Sequence, residues 1–157
     1  MEKEPMTPEG HARLIKEAEH LKHTARPNNI KAIEEARSHG DLKENAEYHA
    51  AKDEQGLIAA RLAKAEDLLA RAEVIDPKSY KGSDIVFGAT VDLTDEETDE
   101  KFTYQIVGSF EADAPRGKIS GESPIGKSLI GKSEGDEVKV RTPKGERNLA
   151  IVKVRYI

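Results

Sequence analysis

The sequence predicts an α+β protein in two parts: an antiparallel helical hairpin, then a small strand-rich domain with one helix. Three observations lead there. Apolar residues recur at spacings of three and four over two long stretches before Asp76. Short alternating runs replace that pattern beyond Pro77. Charged residues make up 35% of the 157 and aromatics 4%, thin material for one broad core and suited to a coiled coil joined to a compact domain. The expected division is 1–77 as hairpin, 78–84 as linker and 85–157 as the second domain.

Taken in order, Thr7-Pro8-Glu9 reads as a helix start, with Thr7 as N-cap, Pro8 at the first helical position and Glu9 in the positive first turn. Leu14, Ala18, Leu21 and Ala25 form a one-sided seam, resumed by Ile30, Ile33 and Ala36. Pro27 lacks a backbone donor and crowds the preceding turn, so a kink or break is expected there. Gly40 can end this helix and Asp41 can start the next. The second seam is Ile58, Leu62, Ala65, Leu69 and Ala72, prolonged toward the turn by Ala46, Ala50 and Leu57. Helices of roughly 30 residues would be ~45 Å long. Each needs the other's stripe to bury its own. Asp76-Pro77 is the expected stop. Strands are expected over 85–93, 101–107, 118–120, 137–141 and 147–156, the last with a slip at Val152, and one short helix over 124–130.

There is no cysteine, which excludes disulfides and thiolate metal sites and fits a reducing compartment. Met1-Glu2-Lys3-Glu4 lacks the order of a signal peptide, and no apolar run could span a bilayer. A cytoplasmic protein making no membrane contact is expected. The net charge is −5, and neither half has the excess of Lys and Arg that neutralising many phosphates requires. If the protein works on nucleic acid, something else holds the polymer.

The turn between the helices carries the candidate site. Asp41 and Glu44 fit a capping box, N-cap and N3. Each carboxylate also has a second oxygen, and a hard cation such as Mg²⁺ takes a few carboxylates plus water and a partner's groups. Two acids make an incomplete metal site. His39 and His49 flank them, but His49 lies more than a helical turn beyond Glu44, so zinc is not favoured. Arg26, Arg37, Lys43 and Lys52 could guide an RNA strand or simply pair with nearby acids. Leu42, apolar at an exposed turn, points to a partner contact. The segments 121–128 and 126–133 match a phosphate-loop pattern. That motif needs a buried strand before it and a helix beginning at the Lys-Ser. Pro124 inside the first match and the turn Glu134-Gly135-Asp136 after the second speak against both.

The run Ala36 to Lys52 (ARSHGDLKENAEYHAAK) closely resembles the tip of the bacterial Gre transcript-cleavage factors. The likeness continues through Pro5 to Gly10, Ala72 to Pro77, Val86 to Val91, Tyr104 to Gly108 and the closing Arg155-Tyr156-Ile157, essentially the whole chain. The Glu-Tyr-His-Ala-Ala-Lys run is more similar to the GreA branch than to GreB. The resemblance implies a coiled-coil hairpin and a C-terminal domain of FKBP-like fold. It implies docking on RNA polymerase, with the tip passed through the secondary channel to the nascent RNA 3′ end. Asp41 and Glu44 would there help hold a Mg²⁺ shared with the polymerase, which hydrolyses the backtracked RNA. Glu122, Ser123 and Pro124 match the docking loop. One segment departs: the family's usual Ala stands as Gly126 here, which by propensity weakens the short helix by up to ~1 kcal/mol. The expected role is a monomeric cofactor of the polymerase, not an enzyme. The rivals are a channel-binding inhibitor that promotes no cleavage, and a free-standing Mg²⁺ nuclease, which would need a closed two-metal site that a hairpin lacks.

Overall fold

The computed structural model describes every residue except Met1, Leu42 and Lys43. The chain divides into two compact units, one built on His11–Ala72 and the other on Lys3–Gly10 with Glu73–Ile157.

The first unit is the helical hairpin. Its first arm runs through α1 (Pro8–His20), a π-helical stretch (Leu21–Ala25) and α2 (Arg26–Arg37); α3 (Ala46–Ala70) returns. The arm does not break at Pro27. Proline removes one donor from the ladder, and the ladder widens just before it, with the Arg26 N–H bonding Leu21 O five residues back. The seam continues across this stretch by steps of four, from Ala25 to Asn29 and on to Ile33. Asn29, Ile33 and Ala36 are buried, whereas Ile30 is 46% exposed. Asn29 sits in the seam because its Nδ2 donates to Ala51 O at 2.8 Å, across to the other helix.

The return helix also departs from the expected stripe. Ala51, Ile58, Leu62, Ala65 and Leu68 are buried. Ala46, Ala50 and Leu57 are exposed, and Leu69 is only half-buried. The helix stops at Ala70, short of Asp76-Pro77, because Ala72–Val74 turns into a strand.

In the second unit, β1 (Glu4–Met6) pairs with β2 (Ala72–Val74), two strands the periodicity did not indicate. Thr7 caps α1, its Oγ1 accepting the Gly10 N–H at 3.1 Å. The buried Glu111 carboxylate accepts the Thr7 N–H at 3.1 Å, the Gly108 N–H at 2.9 Å and the Thr7 hydroxyl. The five-stranded sheet runs β5-β4-β3-β7-β6, from β3 (Thr90–Asp95), β4 (Lys101–Val107), β5 (Lys118–Ser120), β6 (Glu137–Thr142) and β7 (Gly145–Arg155). Neighbours are antiparallel except β4 with β5. The strand expected from Ile85 begins only at Thr90, because a turn closed by Ala89 N–H to Val86 O intervenes. The slip at Val152 is real: Asp92 pairs with Lys153 and Leu93 with Ile151, leaving Val152 unpaired and 58% exposed. Val91, Leu93, Ile106, Val140, Leu149 and Ile151 line one sheet face, and Leu129 of α4 (Pro124–Leu129) joins their cluster.

Residues 80–84 are bonded into this unit. The Tyr80 hydroxyl donates to the Asp84 carboxylate. The Tyr156 hydroxyl donates to Asp84 O and accepts the Val86 N–H. The bond to Asp84, then burial and the carboxylate's charge, push the Tyr80 phenol up to about 12. An unfolded tyrosine ionises near 10, so the unfolded chain loses this proton first. The stability tied to Tyr80 is complete below that value and is lost as pH rises toward 12. Urea unfolding midpoints measured from pH 9 to 12 should therefore fall less steeply in Tyr80→Phe than in the parent chain.

Candidate functional site

The turn of the hairpin begins where α2 runs out of partners for its last carbonyls. Ser38 closes the helix, its N–H reaching Glu34 O and Glu35 O and its Oγ donating to Glu35 O. Gly40 follows with φ of +102°, a backbone conformation that β-carbon sterics deny most residues. Asp41 and Glu44 are both exposed. Leu42 and Lys43 lie outside the described residues.

Asp41 does not cap the second helix. The N-cap is Asn45, at φ −85° and ψ 97°, whose Oδ1 accepts the Tyr48 N–H at 3.0 Å. Its Nδ2 donates to Ala36 O at 2.7 Å, back across the turn. One neutral side chain thus opens α3 and ties it to the end of α2. Asparagine suits both tasks because it caps as well as aspartate and carries a donor besides. The capping-box reading fails for this reason, and Glu44 lies before the helix instead of in its first turn. The signal for Asn45 is its residue type, a preferred N-cap directly ahead of the helical run that begins at Ala46.

Around the turn, His39 Nε2 stands 3.8 Å from Glu47 Oε2, and His49 meets the Tyr48 ring edge-on at 5.7 Å. Among the described residues no three His, Asp or Glu side chains gather as a metal site. Arg37 is exposed in the last turn of α2. Lys52 is exposed on α3, its Nζ donating to Gln55 Oε1 at 2.7 Å.

The other candidate residues lie in the second unit. Glu122 and Pro124 are exposed and Ser123 is half-buried as the cap of α4, its Oγ accepting the Gly126 N–H at 3.1 Å. Gly126, Lys127 and Ser128 lie inside α4, not at its start, so the phosphate-loop spacing does not place a Lys-Ser at a helix N-terminus.

A hairpin with an acidic turn, followed by a mixed sheet with one short covering helix, defines a two-unit class of protein. Residues 4–74 match the family model described as "Transcription elongation factor, N-terminal", and residues 81–156 the one described as "Transcription elongation factor, GreA/GreB, C-term". The chain belongs to the GreA/GreB transcription elongation factor family. It is 55% identical to transcription elongation factor GreA of Mesorhizobium japonicum over 157 residues, all of both chains. It is 54% identical to that of Hyphomonas neptunium over 156 residues, 99% of each. Among solved structures, the GreA factor homolog 1 protein of Thermus thermophilus is 30% identical, with 98% of this chain and 99% of that one covered and a TM-score of 0.45. No helix among the described residues is long and apolar enough to cross a membrane.

The double role of Asn45 is separable by mutation. Asn45→Asp keeps the cap but exchanges the donor facing Ala36 O for an acceptor, which should cost about 1 kcal/mol. Asn45→Ala loses the cap as well and should cost about 2 kcal/mol in all. Urea denaturation of the two variants checks the order.

Proposed function

We propose that this chain acts at bacterial RNA polymerase, entering the secondary channel with the turn of its hairpin and stimulating Mg²⁺-dependent cleavage of backtracked nascent RNA near its 3′ end. Arrested complexes would thereby resume synthesis. The observation that carries the reading is a pair of exposed carboxylates, Asp41 and Glu44, at the turn of a family hairpin whose two helices are tied by Asn45.

Hard cations take oxygen ligands, and two acids leave most of a six-oxygen shell to be filled elsewhere. Asp41 and Glu44 would therefore hold Mg²⁺ only jointly with the polymerase's own acids. When bound, such an ion supplies a polarised phosphate and a water of lowered pKa. The chain's part is to carry negative charge on the end of a helix, α3, about 37 Å long, and to orient it. Arg37 and Lys52 would flank the RNA strand, and Leu42 would touch the polymerase. Glu122, Ser123 and Pro124 would seat the second domain on the channel rim. Residues 1–77 would then be the working hairpin and 85–157 the docking domain, with 78–84 between them. The hydrolytic centre would be the polymerase's, and this protein its cofactor.

The decisive assay uses stalled, backtracked elongation complexes and follows short 3′ RNA fragments. Asp41→Asn and Glu44→Gln should each lower stimulated cleavage about ten-fold or more, the equivalent of one lost charged ligand in the transition state. Because Asn45 is the cap, both variants should keep the parent's unfolding midpoint. Added Mg²⁺ should restore part of the rate by mass action. Parental rates in both variants would overturn the reading.

A second test separates cofactor from nuclease. The protein alone, with Mg²⁺ and free RNA, should produce no fragments. Cutting of free RNA by clean protein, abolished by the same two substitutions, would establish an intrinsic nuclease instead.

A further inference from the structure

We propose that Gly126 is a positioning residue for the docking loop. By lacking a side chain it lets residues 120–123 fold directly onto α4, and this contact sets where Glu122 and Pro124 stand. The inference rests on the docking role proposed above for Glu122, Ser123 and Pro124.

Ser120 anchors the loop to the sheet. It pairs with Val107 at the end of the parallel β4–β5 ladder, and its Oγ lies 3.1 Å from Ser109 Oγ. The same hydroxyl accepts the Glu122 N–H at 3.0 Å. Its carbonyl accepts both the Ser123 N–H at 3.1 Å and the Ser123 Oγ–H at 2.6 Å. Ser123 then passes the connection into α4, taking the Gly126 N–H on its Oγ and the Lys127 N–H at 2.8 Å on its carbonyl. Gly126 is buried at the point where loop and helix meet.

A Cβ built on Gly126 would overlap the Ser120 carbonyl oxygen outright, and would stand 3.0 Å from Gly121 Cα. Those are backbone atoms and cannot swing aside as the end of a flexible side chain can. Gly126 is helical, so conformational freedom is not what requires glycine. Space is. Alanine's better helix propensity is therefore beside the point at this position, because overpacking forces the backbone to move. An alanine here would have to push the loop away from the helix, and with it the exposed Glu122 and Pro124.

The test uses the full chain on backtracked complexes and separates half-saturating factor concentration from maximal cleavage rate. Gly126→Ala should raise the half-saturating concentration about five-fold or more and leave the saturated rate unchanged, since the hairpin turn is untouched. Leu129→Ala, a core change in the same helix with no overlap at the loop, should leave half-saturation near the parent's at a temperature well below its unfolding midpoint. Ser120→Ala removes the hydroxyl that holds the Glu122 N–H and loosens the loop by a second route, so the result does not hang on Gly126→Ala folding. It should raise half-saturation about two-fold, as expected for loss of one modest hydrogen bond. Amide exchange in the free protein gives a readout independent of polymerase. Exchange at Glu122, Ser123 and Lys127 should quicken in Gly126→Ala and in Ser120→Ala. Parental exchange and parental half-saturation in those variants would overturn the proposal. Quickened exchange with parental half-saturation in Glu122→Ala and Pro124→Ala would support the loop-setting role of Gly126 while removing the docking role it was tied to.

Discussion

Neither arm of the hairpin can bury its apolar stripe alone, and the register in which the two stripes meet determines what stands at the turn. Most helical stability in a protein comes from packing of an apolar face. Here the face contains a buried asparagine, Asn29, while Pro27 lies exposed off it. The buried positions step from Leu21 through the half-buried Ala25 to Asn29, Ile33 and Ala36 across the π-helical stretch. The Asn29 amide then reaches Ala51 O, a bond made in one register only. A polar residue in a helical seam costs stability but specifies alignment. The consequence appears at the far end. One residue of slip rotates a helix face by about 100°, which would carry Ala36 O away from Asn45 Nδ2. The bond at 2.7 Å between them holds because the seam below it is in phase.

Most of this hairpin was legible in the sequence, and the exceptions come from reading burial off residue type. Ile30 and Asn29 both fit spacings of three and four, and the apolar one is exposed while the asparagine, bonded to Ala51 O, is buried. In the return helix, Ala46 and Ala50 read as apolar because alanine is ambiguous, whereas their neighbour Ala51 is the one turned inward. The strands 101–107 and 118–120 and the bulge at Val152 were legible because alternation is a local property. The β1–β2 ladder was not, because its two short strands lie far apart in sequence and each closely adjoins one end of a helical pattern. The stop of α3 at Ala70, ahead of Asp76-Pro77, follows from the same hidden partner.

Acidic residues show where the pattern runs out. Glu111 and Glu44 are the same residue type, and nothing in their neighbours marks one as interior. The fold separates them by donors. Glu111 is 5% exposed and accepts from two backbone N–H groups and a hydroxyl, enough to satisfy a buried carboxylate. Asp95 is buried too. The Glu97 N–H, then Arg147 and the Thr98 N–H, hold its carboxyl below the usual range, and the Arg147 guanidinium lies over the Phe102 ring at 4.6 Å. Glu96 goes the other way, its carboxyl raised chiefly by the hydrogen bond it shares with Glu137.

The assignment of the cap to Asn45 changes what the turn can do chemically. A capping aspartate turns one oxygen toward a backbone N–H and stabilises the charge there, beside the positive end of the helix. A capping asparagine does the hydrogen bonding without that charge, and in this chain it also supplies the donor that closes the turn. The exposed carboxylates at Asp41 and Glu44 are then not what starts α3. The cap of α3 and the tie to Ala36 O rest on a neutral residue, so a cation taken by the exposed carboxylates would not compete with those two bonds.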